Sequence, residues 1–124
     1  MSFELKVDGK ILDILVTGAW TLDVAKQAQS KASRIVKQQE LAGILVDLRD
    51  ADIRFSAPQI FELSSSHAEV FPALTRHALL VSAEQKEAIQ ANLKFSENVA
   101  VNRGVTQRTF TDIVDARRWL SGEA

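Results

Sequence analysis

The stretch Ala42-Gly43-Ile44-Leu45-Val46-Asp47-Leu48 is almost continuously apolar. A run this short, with no polar alternation, has no face to offer to water. It suits a central strand of a parallel sheet, covered on both sides. Parallel neighbours must be joined by crossover connections, usually helical. The rest of the chain is therefore read for helices that alternate with further strands.

Phe3-Glu4-Leu5-Lys6-Val7 alternates apolar and polar side chains, the period of a half-buried strand. Asp8-Gly9 follows as a hairpin-turn signal, and Ile11 to Val16 reads as a second strand ended by Gly18. Thr21 caps a helix to about Gln39, with Asp23 in its first turn. Leu22, Ala25, Ala28, Ala32 and Ile35 form its apolar face, whose alanines let a helix lie close to a sheet. Ser56-Ala57-Pro58-Gln59 has the spacing of a capping box and opens a helix to about Val70, before Pro72. Ala78 to Val81 is a buried strand. Ser82-Ala83-Glu84-Gln85 is a second capping box, opening one helix that ends near Asn102-Arg103-Gly104. Gln107 to Phe110 is a last short strand. Thr111 or Asp112 caps a final helix with Ile113, Ala116, Trp119 and Leu120 on one face. The order predicts an α/β domain: a mixed five-stranded sheet opened by a β-hairpin, with about four helices packed on it and right-handed crossovers.

With 124 residues, two prolines and no linker-like stretch, residues 1–124 read as one domain. The net charge of −1 offers no basic field for nucleic acid. Lys26, Lys31, Arg34 and Lys37 form a solvated helix face without interleaved aromatics. The chain has no cysteine, which excludes disulfides, thiolate metal sites and cysteine nucleophiles. No charged-then-apolar leader opens it, and no apolar run is long enough to span a bilayer, so a cytoplasmic protein without membrane contact is expected.

Three stretches resemble the STAS-like family, the fold of anti-sigma-factor antagonists, and especially its SpoIIAA-like branch. They are Gly43 to Leu48 with the polar turn and Ser-opened helix that follow, Arg76 to Val81, and Thr109-Phe110-Thr111-Asp112 through Ala116-Arg117-Arg118-Trp119-Leu120. The resemblance implies a STAS-like fold and a non-catalytic regulatory or protein-interaction module. In the antagonists a serine in the sequence Asp-Ser-Ser-Gly is phosphorylated at the start of the helix after the Asp-Leu strand. Here that stretch is Phe55-Ser56-Ala57-Pro58, and the phosphoserine position falls on Ala57. Ser56 remains and is accounted for as an N-cap.

In open α/β sheets ligands bind beyond the carboxyl ends of the strands. Ser56, Ser82 and Thr111 gather there at helix starts and are the candidate phosphate or anion positions, each competing with its role as a cap. Asp47, Asp50 and Asp52 are hard oxygen donors on the same edge, a distant hydrolase reading. Arg49 and Arg54 lie among them, and turn chemistry explains the aspartates, so no metal is expected. Gly-x-Ser-x-Gly, His-Glu-x-x-His and Gly-rich phosphate loops are all missing, so neither an enzyme nor a cofactor is expected. The second helix carries apolar residues around more than one face. Ile60, Phe61, Leu63, His67 and Phe71 form a candidate partner surface, with His67 read as a surface histidine. Trp20 is expected to be the more exposed of the two tryptophans. The partner is a protein or a second copy in a homodimer. The alternative is a carrier for a small apolar or anionic ligand, held in a cleft between the second and third helices near Phe55, Ile60, Phe61, Leu93 and Phe95; the resemblance supports it, since parts of the SpoIIAA-like branch are similar to lipid-transfer folds.

Overall fold

A computed structural model describes residues 3–72 and 74–122. Among the described residues five strands and five helices follow in the order β1 (Phe3–Asp8), β2 (Ile11–Trp20), α1 (Leu22–Gln39), β3 (Gly43–Ile53), α2 (Ala57–Val70), β4 (Arg76–Leu80), α3 (Ala83–Ala88), α4 (Gln90–Asn102), β5 (Thr106–Phe110) and α5 (Ile113–Leu120). The sheet order is β1-β2-β3-β4-β5. The opening hairpin is antiparallel, and every later pair is parallel. The expected mixed sheet is thus the observed one.

The apolar β3 is buried on both faces, as its composition requires. Ile44 packs with Leu12, Ile14 and Val16 against Ala25, Ala28, Ala32 and Val36 of α1. Leu45 points the other way and packs with Ala78 and Leu80 against Ala116, Trp119 and Leu120 of α5. Gly43 marks a close approach: a Cβ there would lie 2.8 Å from Leu120 Cδ2. Arg117 of α5 holds Asp13 of β2 at 2.9 Å and Asp8 of β1 at 3.4 Å, tying this helix to the hairpin.

Three expectations are corrected. The polar stretch after Leu48 is strand rather than turn, because Asp50 to Ile53 pair with Thr17 to Trp20 of a correspondingly longer β2. In this pairing the step from Leu15 to Thr17 on β2 is matched by the step from Asp47 to Asp50 on β3. The extra residue is a bulge, and it shifts the phase of alternation so that both Leu48 and Ile53 reach the α1 side. The helix expected from Ser82 to about Asn102 breaks at Ile89, where φ −121° and ψ 23° leave the helical region. Gln85 explains the anchor of the first piece. Its Oε1 accepts from the Ser82 N–H at 2.8 Å, and its Nε2 donates to the carbonyls of Leu48 and Ala51 at the bulge, at 2.7 and 3.1 Å. Trp20 is 6% exposed, no more than Trp119 at 8%. It sits opposite Ile53 at the end of the β2–β3 extension, edge-on to Phe55.

Candidate functional site

The candidate partner surface on α2 is corrected: Ile60, Leu63, His67 and Phe71 line the interior, and of the five only Phe61 faces outward. Ile60, Ser64, His67 and Phe71 turn toward the sheet, and Phe61 turns away and is 45% exposed. What they meet is a cavity of about 110 Å³. Its floor is the sheet, where Ile44, His77 and Gln107 stand side by side in register on β3, β4 and β5, and Val46 and Leu79 one step further along. Its walls are the alanine stripe of α1 and Ile89, Leu93 and Ser96 around the break and along α4. Trp20, Ile53 and Phe55 close the end nearest the carboxyl ends of the strands. The break at Ile89 therefore has a local consequence: it turns an apolar side chain into this space.

The opposite end is polar and neutral. His67 and His77 stack, with ring centroids 4.8 Å apart and planes 20° from parallel, and Phe71 meets both rings. Gln29 Nε2 lies 2.8 Å from Ser66 Oγ and 2.9 Å from His67 Nδ1. An amide nitrogen can only donate, so Nδ1 accepts and the neutral ring carries its proton on Nε2. Gln107 Nε2 donates to Ser96 Oγ at 2.7 Å, and Ser96 Oγ pairs with Ser64 Oγ at 3.1 Å. Burial pushes His67 down to about 4, and burial together with the neighbouring ring holds His77 well below the usual histidine range. The expectation of a surface histidine at His67 is corrected accordingly. A second hollow, of about 230 Å³, shares His67, Phe71 and His77 with the first and is otherwise bounded by Pro72, Thr75 and Arg103, among others.

The candidate anion positions are occupied by their own caps. Ser56 and Ser82 each make both bonds of a capping box. At the last helix the cap is Asp112, whose Oδ1 accepts from Val114 and Asp115, and not Thr111. A carboxylate at that position opposes an anion. Asp47 is held by Arg49 and Asp52 by Arg54. Among the described residues, no group of three or more metal-ligating side chains is placed to hold an ion. Of the cluster suggested for a carrier, Phe55, Ile60 and Leu93 line the cavity, and Phe61 and Phe95 lie on its outside. The histidine pair was not legible as a unit in the sequence, because His67 and His77 lie on different elements that only the fold brings together.

No protein-family model matches the chain, and no curated protein does. Solved structures do. An anti-sigma factor antagonist from Mycobacterium paratuberculosis superposes with a TM-score of 0.66 at 12% identity, over 96% of this chain and 92% of that one. SpoIIAA, an anti-sigma factor antagonist, in its unphosphorylated form gives 0.58 at 16% identity, over 97% and 98%. A DUF3478 protein with a SpoIIAA-like fold from Shewanella loihica PV-4 gives 0.57 at 18% identity, over 95% and 91%. The chain has the SpoIIAA-like fold. Within that fold it places the capped, exposed Ser56 at the start of α2 and the cavity directly beneath the same helix.

Proposed function

We propose that the chain is a non-catalytic regulatory module that works by contacting a protein partner through the outer side of α2 and α4. The SpoIIAA-like fold supports this reading, since two of the similar structures are of anti-sigma factor antagonists. The observation that carries it is where apolar surface is left uncovered. Phe61 on α2 is 45% exposed, Phe95 and Val101 on α4 are 37% and 63% exposed, and Leu74 just beyond α2 is 93% exposed. The two helices pack on one another, which puts Phe61, Phe95 and Val101 on adjacent elements, whereas Val7, Leu15 and Val114 are exposed singly on β1, β2 and α5. Apolar side chains gathered on one side of a protein mark contact surfaces more often than scattered ones do. Arg103 lies over the Phe61 ring at 5.5 Å and adds a cation that an acidic partner can meet.

The test compares wild-type protein with Phe61→Ser, a change at an exposed side chain that leaves the core intact. Sedimentation velocity reports self-association, and quantitative capture from extracts of the source organism reports other partners. The expected result is a species retained by the wild type and weakened at least tenfold by the substitution, with an unchanged melting temperature. Identical oligomeric state and identical captured proteins for both would overturn the reading.

A further inference from the structure

We propose that the cavity between α2 and the sheet is a binding site for one small, neutral, single-ring aromatic molecule with one hydrogen-bonding substituent, a phenol-like compound. The site is separate from the outer surface of α2 and stands whether or not a protein binds there.

Size sets the first limit. An apolar cavity of about 150 Å³ takes up benzene; this one, at about 110 Å³, is somewhat smaller and partly open, so a single ring is the most its walls enclose. The lining sets the second limit. Val46, Leu48, Ile53, Phe55, Leu63 and Leu79 surround most of the space with apolar carbon. No aspartate, glutamate, lysine or arginine is among the lining residues. An ionised ligand would be buried there without a counter-charge, which is strongly unfavourable.

The third limit comes from the polar end. Several of the hydrogen-bonding groups there are committed to each other. Gln29 serves Ser66 and His67, and Gln107 serves Ser96. His77 is 3% exposed, stands on the cavity floor between Ile44 and Gln107, and has no hydrogen-bond partner among the described residues for either ring nitrogen. A neutral imidazole offers one acceptor and one donor, and a ligand hydroxyl satisfies the acceptor while its ring lies against Leu63 and Leu79. The specificity follows from the same group: an analogue lacking the hydroxyl leaves His77 unpaired. The second hollow adjoins this end of the cavity and shares His67, Phe71 and His77 with it.

Isothermal titration calorimetry with phenol, toluene and benzoate tests this on the full chain. Phenol is expected to bind saturably, toluene roughly tenfold more weakly, and benzoate not at all. His77→Phe keeps an aromatic ring at this position and removes both nitrogens. It is expected to abolish the preference of phenol over toluene. In nitrogen-15 NMR of the wild type, phenol is expected to shift the His77 ring resonances, which keeps the proposal testable if the variant fails to fold. Absence of saturable phenol binding, benzoate binding as tightly as phenol, an unchanged preference in His77→Phe, or His77 resonances unmoved at saturation would each overturn it.

Discussion

His67 and His77 stack as two neutral rings in the interior, with Gln29 and Phe71 against them and Arg103 on the wall of the adjoining hollow. Both folded-state values are depressed, His67 to about 4. In the unfolded chain the same side chains titrate near 6.5. The unfolded state therefore binds protons first as pH falls, and protonation favours it. The stability tied to neutral rings is fully present above the unfolded value and is lost as pH falls from about 6.5 toward 4. Each histidine contributes a slope of up to about 1.4 kcal/mol per pH unit across that window. Urea unfolding at pH 7.5, 6.5, 5.5 and 4.5 is expected to show this loss, and His67→Phe is expected to flatten it. A wild-type curve level between pH 7.5 and 5.5 would place the rings in water.

At the scale of elements, the short α3 is tethered through one side chain. It buries no residue of its own, and Gln85 joins it both to the Ser82 cap and to the two carbonyls at the β3 bulge. Gln85→Ala removes all of these bonds and is expected to cost about 1–3 kcal/mol. Gln85→Glu keeps the acceptor toward Ser82 but aims a carboxylate at the Leu48 and Ala51 carbonyls. It is expected to destabilise at least as much, with faster amide exchange through Asp50 to Ile53 as the local readout. Equal stability of the Gln85→Glu variant and the wild type would make the cap the whole effect. This tether also explains what was legible in the sequence. Capping boxes at Ser56 and Ser82 and the alanine stripe of α1 are local patterns; the boxes located where α2 and α3 begin, though not where α3 ends. Arg49 to Ile53 looks like a turn because aspartate is common in turns and scarce in strands. Only its pairing with Thr17 to Trp20, remote in sequence, makes it strand. The break at Ile89 has no local signal in the sequence, since neither glycine nor proline stands there.

At the scale of the whole molecule, the cavity sets stability against binding. The small side chains Ala25, Ala28 and Ala32 bring α1 close to the sheet but do not fill the space beneath α2. By the volume scale from large-to-small core substitutions, an empty 110 Å³ is worth roughly 2–3 kcal/mol of forgone stability. That is a large share of the usual net stability of about 5–15 kcal/mol for a domain. A ligand that fills the space recovers part of it, and so does a larger side chain. Ala28 is 1% exposed and lines the cavity, so Ala28→Val is expected to add up to about 1 kcal/mol of stability. The same methyl groups occupy volume that a bound ring needs, so phenol affinity is expected to fall at least tenfold. The two readouts together separate the alternatives. Higher stability with binding lost places the ligand in this cavity. Higher stability with binding retained places it elsewhere, and lower stability means that the walls of α1 are already packed at Ala28 and the free volume lies nearer Leu63 and Leu79.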